Sequence, residues 1–177
     1  MGDIVPPRAQ ALTSRAQTFF LMALDLPETT SKIGGPLVRQ FSVFLPNKVG
    51  AMMQVVKLLN SHHVEVVALS IAESTDSAIA RIVVSDPDQV ETLFVEHGVP
   101  HGLCEMMVVE LNEVAGQLSK LLAVLLMAEV NIHFCYPLLT RPRGLAALAL
   151  HVEDNDCAAN VLSGEGFKML SQADISR

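Results

Sequence analysis

Apolar positions along this chain follow two alternating rhythms. From Val38 to Leu45 they are dense, with Val38, Phe41, Val43, Phe44 and Leu45 suited to a strand that Pro46 ends. Met52, Met53, Val55, Val56, Leu58 and Leu59 then recur at helical spacing, and Asn60-Ser61-His62-His63 closes that helix. Val64 to Ala72 reads as a second strand, Glu73 to Ser77 as a polar turn, and Ala78 to Val84 as a third strand. Ser85-Asp86-Pro87-Asp88 starts a second helix, with a capping side chain ahead of a proline in the first turn. Val90, Leu93, Phe94 and His97 share its face, Gly98 ends it, and Leu103 to Leu111 forms a long strand-like run.

The same order then returns. Gly116 is expected to open a helix through Leu118, Leu121, Leu122, Leu125 and Leu126. Val130 to Leu139 follows as a strand, Thr140 to Gly144 as a turn, and Leu145 to Val152 as a strand. Glu153-Asp154-Asn155-Asp156 caps a helix over Ala158, Val161 and Leu162, and Phe167 to Leu170 is a last short strand. An internal repeat of this kind governs the whole reading of a fold. Each unit is βαββα completed by a closing strand, the split βαβ pattern. The fold class is therefore α+β: two ferredoxin-like βαββαβ units, with antiparallel sheets and helices on one face.

Two further expectations follow. The strands are apolar at nearly every residue, so the helix-free sheet faces need cover, from the other half or from another chain. Between Gly98 and Asn112 there is room for one strand only, so Leu103 to Leu111 is expected to serve both units. The chain divides into an N-terminal extension, 1–36, disordered or with a short helix over Ala9 to Leu24; a first unit, 37–105; and a second, 106–177.

Composition narrows the function. A net charge of −7, 5% aromatic residues and no Trp argue against a nucleic-acid surface, which needs basic patches and stacking platforms. Cys104, Cys135 and Cys157 are odd in number, widely spaced and without a CxxC pair, as for free thiols in a reducing cytosol. Leu118 to Val130 is too short to span a membrane and is broken by Lys120 and Glu129. The run Thr18 to Leu24 lacks a cleavage site after it, so no export signal is read and a cytoplasmic location is expected. Met22 is an alternative start to Met1.

The block Phe41-Ser42-Val43-Phe44-Leu45-Pro46-Asn47-Lys48-Val49-Gly50-Ala51-Met52 resembles the opening of an ACT domain: a strand, a polar turn ending in Gly, then a small residue and Leu or Met at the helix start. Met106 to Leu118 is similar to a second copy, and Val64 to Ser70 and Val130 to Phe134 match the second strand of each. The resemblance covers about residues 37–175 and implies a tandem ACT pair without a fused catalytic domain. ACT domains are regulatory modules that commonly bind amino acids where two copies meet. The candidate effector-binding residues are then Asn47, Lys48, Val49, Gly50 and Met52 in the first copy, and Asn112, Glu113, Val114, Ala115, Gly116 and Leu118 in the second. The first copy has Asn47 where many members carry Asp, and Glu113 aligns with Asn47 in the second, so the two copies are not equivalent.

The chemistry suits an amino acid. A helix N-terminus offers free N–H groups and a positive dipole end to a carboxylate. Gly50 and Gly116 let backbone come close. Asn47 and Asn112 can donate or accept, Glu113 can pair with an ammonium, and Met52 and Leu118 supply an apolar wall. The plain alternative is that Asn-x-x-Gly is only a turn and helix cap.

The six histidines show no HxH or HExxH spacing, so no metal is expected, and His62 is expected to meet a helix C-terminus. The cysteines, including Cys135 beside Tyr136, read as core rather than nucleophiles. Arg141-Pro142-Arg143 reads as a solvated loop more than as a contact for an acidic partner.

The sequence thus describes a non-enzymatic sensor with no cofactor. It takes a small-molecule effector, an amino acid by preference, works as a homodimer, and has a metabolic enzyme as possible partner. No nucleic acid or membrane is involved. The alternatives are the regulatory subunit of an amino-acid biosynthetic enzyme such as acetolactate synthase, or an assembly module with no ligand.

Overall fold

One strand, His101–Leu111, carries both halves of the fold. The computed structural model describes residues 36–46, 48–73 and 77–176. The expected Ala9–Leu24 helix, most of the 1–36 extension and Asn47 lie outside the described residues. The elements run β1 (Val38–Pro46), α1 (Ala51–Ser61), β2 (Val66–Glu73), β3 (Ser77–Val84), α2 (Pro87–Glu96), β4 (His101–Leu111), α3 (Val114–Met127), β5 (Ile132–Pro137), β6 (Ala146–Val152), α4 (Asn155–Gly164), β7 (Lys168–Leu170) and α5 (Gln172–Ile175). A 3₁₀ turn, Pro142–Gly144, joins β5 to β6.

The sheet order is β2-β3-β1-β4-β6-β5, with β7 also on β4, and all of these pairings are antiparallel. Residues 101–106 of β4 pair with β1, and residues 107–111 pair with β6. The long strand therefore does serve both units. Two signals placed the helix starts correctly. Asp86 Oδ1 accepts from Gln89 N at 3.1 Å, and Asp154 Oδ1 accepts from Cys157 N at 2.9 Å.

Side chains alternate along each strand between two environments. On the helix-covered face of the first unit, Phe41, Val43, Ile82, Leu59, Val90 and Phe94 form one core. Phe41 and Phe94 meet edge to face with ring centroids 5.5 Å apart, worth about 0.5–1.5 kcal/mol beyond their burial. Met107, Val109, Leu121, Leu125, Leu150 and Leu162 form the matching core of the second unit.

The third core is the cover that the all-apolar strands demanded. Val38, Val83 and Met106 from the first unit pack against Tyr136, Ala147, Ala149 and Leu170 from the second. The sheet curls so that its helix-free faces meet. Its edges also touch: Ala68 bridges Leu138, and Leu139 N donates to Val67 O at 2.8 Å.

Among the described residues two polar ones are buried, Gln40 and Glu110, and both serve the interface between the units or its end. Gln40 Oε1 accepts from Tyr136 Oη at 2.7 Å, and its Nε2 donates to Ser42 Oγ at 3.0 Å. Glu110 faces Arg143 Nε at 3.2 Å and Lys168 Nζ at 3.9 Å, while Arg143 also reaches Asp174 at 3.6 Å. The Arg143 contact is an ion pair rather than an aligned hydrogen bond, since no hydrogen bond is directed at Glu110 Oε2. Arg141 and Arg143 are exposed, as expected of a solvated loop, but Arg143 also pairs with this buried carboxylate. Arg143 takes φ +54° in the turn, and its side chain supplies the counter-charge that a buried carboxylate needs.

Candidate functional site

The two turns singled out by the repeat are built differently. In the first unit Lys48 N donates to Pro46 O and Ala51 N to Lys48 O, and Gly50 takes φ +87° to reverse the chain into α1. An L side chain rarely adopts that φ, so glycine is required there. The N-cap residue, Gly50, has no side chain, and among the described residues no side chain caps α1. Ala51 N is taken by Lys48 O, so among the described residues it is the N–H groups of Met52 and Met53 that stay open to water or a guest. Lys48 and Val49 are exposed, and Met52 is partly buried against the helix-side core.

In the second unit β4 passes into α3 through Asn112 and Glu113 alone. The helix starts at Val114, so Gly116 lies within its first turn instead of opening it, and its φ is not positive. The shorter link accounts for this: Glu113 reaches the helix in an extended conformation (φ −129°), so no left-handed residue is needed. Asn112 N donates to Gln117 Oε1 at 2.7 Å. A Cβ on Gly116 would lie 3.2 Å from Glu113 Oε2. Here the protein's own carboxylate stands beside the helix start. Val114, Ala115 and Gly116 are exposed, and Leu118 packs partly against its own core.

Within one chain the two turns do not come together. Val43 of β1 lies opposite His101, at the start of β4, while Leu111 is at its far end. At about 3.3 Å per residue that separation is on the order of 30 Å.

Next to the first turn is a cleft of about 410 Å³. Its walls are apolar: Leu45, Val55, Leu58 and Val99. Pro46 and Ala51 join it to the turn, and Gln54 and His97 supply polar groups. His97 Nδ1 donates to Leu93 O at 2.9 Å, and in the neutral ring with that bond Nε2 is the acceptor. The volume is within the range of small-molecule sites. Sequence reasoning had His97 on a helix face and Leu58 in a helical core stripe, but not as parts of one cleft. Gln54 stood out by no signal except being polar in an apolar stripe.

Three of the other histidines, His62, His133 and His151, form two local arrangements. His62 Nδ1 lies 3.0 Å from Leu58 O, at the α1 C-terminus as expected. His133 and His151 place their Nδ1 atoms 3.0 Å apart across β5 and β6, so one ring donates and the other accepts. Partial burial, with His133 and Arg81 nearby, pushes the His151 pKa down. Among the described residues no three His, Cys, Asp or Glu side chains gather as a metal site, and no helix is long and apolar enough to cross a membrane. Cys135 is exposed rather than core, and burial pushes the Cys104 thiol pKa up.

A doubled βαββαβ unit sharing one strand, its helix-free faces packed together, defines an ACT-type pair. The chain matches the model of the ACT domain pair over residues 37–177 and belongs to that family. Its structure is similar to protein BT0572 from Bacteroides thetaiotaomicron: TM-score 0.73, 26% identity, covering 80% of this chain and 96% of that one. It also shares a fold with the ligand-free regulatory subunit of aspartate kinase from Thermus thermophilus, at TM-score 0.50 and 10% identity, covering 73% of this chain and 92% of that one. Among curated proteins, none matches the sequence significantly.

Proposed function

We propose that this chain is a regulatory protein that binds a small amino acid with an apolar side chain at the first unit's β1–α1 turn. Membership of the ACT domain pair family supports the regulatory role, and a fold neighbour described as a regulatory subunit agrees with it. The observation that carries the ligand reading is the apolar 410 Å³ cleft joined to a helix N-terminus that no described side chain caps. The ligand carboxylate takes the open N–H groups of α1. Gln54 Oε1 and His97 Nε2 accept from the ammonium, and the side chain enters between Val55, Leu58 and Val99. The second unit keeps its own Glu113 by the equivalent helix start, so it is the weaker candidate.

In this reading the units divide at 105/106, inside β4. A site joining both turns requires a second copy of the chain, as a homodimer supplies. Binding then shifts the population between two arrangements of the units, and a partner metabolic enzyme reads that shift.

Isothermal titration calorimetry against branched-chain and aromatic amino acids tests this. Saturable binding is expected, weakened about tenfold by Gln54→Ala, the loss of about 1.4 kcal/mol. Gly116→Ala leaves it unchanged. Silence across the set, with the protein folded and dimeric, would refute the sensor reading in favour of an assembly module. Sensitivity to Gly116→Ala but not to Gln54→Ala would move the site to the second unit.

A further inference from the structure

Between the facing sheets, away from the cleft, one row of side chains crosses four strands. Arg81 of β3 lies directly opposite Ser70 of β2 and Ser42 of β1, and Ser42 lies opposite Gly102 of β4. Directly paired residues point to the same side of a sheet. That side is the helix-free one, because Val83, Val38 and Met106, two or four residues along the same strands, belong to the core between the units.

Three observations make this row unlike a packed core. Arg81 is half-buried, yet among the described residues it has no carboxylate within ion-pair distance. A guanidinium removed from water without a counter-charge is costly, and an anion relieves that cost. Gly102 faces open space: a Cβ built there meets nothing within 4 Å. Ser42 Oγ already accepts from Gln40 Nε2, which leaves its O–H to donate.

The opposite sheet supplies a roof. The Arg81 guanidinium lies 4.3 Å from the centre of the Phe134 ring. Phe134 in turn stacks on His151, 4.8 Å away and 8° from parallel. Cation–π stacking occupies one face of the guanidinium and leaves its N–H edge, the part that grips a carboxylate in two parallel hydrogen bonds.

We propose that Arg81, Ser42 and Ser70, with the space over Gly102 and the Phe134 roof, form a second binding site for a small carboxylate that carries no amino group. The carboxylate pairs with the guanidinium edge and accepts from the two serine hydroxyls. Its short aliphatic part lies over Gly102. Among the described side chains placed here, Cys104, Tyr136, His133 and His151, none is an acid that would hold an ammonium, so an amino acid is disfavoured. The site joins β1, β2, β3 and β4 to β5, so its occupant bridges the two units. This goes beyond the effector reading and does not depend on it.

The test is a calorimetric titration of the full chain with 2-oxobutanoate, with propionate, inorganic phosphate and 2-aminobutanoate as comparison probes. Saturable binding of 2-oxobutanoate is expected. Arg81→Gln should weaken it at least tenfold, and Gly102→Val, which fills open space at an unstrained φ, should do the same with the thermal midpoint preserved. Amino-acid binding at the cleft should be unchanged in Gly102→Val, which separates failure here from failure there. The proposal is overturned if 2-oxobutanoate gives no saturable signal, if phosphate binds and the carboxylates do not, or if Gly102→Val binds as the wild type does.

Discussion

The contact between Gln40 and Tyr136 offers a direct probe of how the two units meet. Gln40 is fully buried on β1, and its Oε1 receives the Tyr136 hydroxyl from β5 at 2.7 Å. Tyr136 is itself 5% exposed, and burial pushes its hydroxyl pKa well above the usual range, so it is a neutral donor at any ordinary pH. Tyr136→Phe leaves Gln40 Oε1 in the core without a partner, which costs about 1–3 kcal/mol. For a chain of this size that lowers the thermal midpoint by roughly 2–4 °C per kcal/mol. Gln40→Leu strands the tyrosine hydroxyl, whose other contact is Met106 Sδ at 3.4 Å, and should cost a similar amount. The double variant puts two apolar groups face to face and should cost less than the sum, by about 1 kcal/mol or more. Urea unfolding of the four proteins, at a common m-value, measures the cycle. If Tyr136→Phe stays within about 0.5 kcal/mol of wild type and the double variant is additive, the sheets do not face one another in this way.

Two more predictions follow from the same structure. Gly50→Ala should lose about 1–2 kcal/mol because its φ is +87°, whereas Gly116→Ala, at helical φ against only the movable end of Glu113, should be neutral or gain up to about 0.5–1 kcal/mol; unfolding midpoints of both compare them directly. His151 has its pKa lowered in the fold, so the unfolded chain binds its proton more readily. Its contribution is therefore complete above the ordinary histidine pKa and is lost as pH falls through that range to the lower folded value. His151→Gln should flatten the fall in unfolding midpoint on acidification, and an unchanged slope would show the His133–His151 pair to be inert.

Much of the architecture was legible because local rules and global packing agree. Asp86 and Asp154 start their helices as capping residues, Pro46 ends β1, and the count of apolar runs forced one strand to serve two units. The structure departs from the sequence reading where spacing looked alike and geometry was not. Gly50 and Gly116 occupy matching words, yet a four-residue turn needs a left-handed residue and a two-residue link does not. Arg143 reads as a loop cation until the fold places Glu110 beneath it. The short helix Gln172–Ile175, opened by a Ser171–Asp174 capping box, went unread because one turn leaves no periodicity.

The candidate sites divide along the same line. The repeat pointed to the first turn, since a glycine after a strand and before an apolar helix is a local signal. The cleft behind it needs Leu45, Gln54, Leu58, His97 and Val99, which three separate segments contribute. Likewise the row of Ser70, Arg81, Ser42 and Gly102 exists only through strand register. The sequence by itself determined the elements, their duplication, the shared strand and the need to cover both sheet faces, because propensity, capping and hydrophobic period act between near neighbours. The tertiary structure alone decided that the two halves cover each other, which buried groups pair, and where open space remains, because those depend on sheet curl and register across residues far apart in the chain.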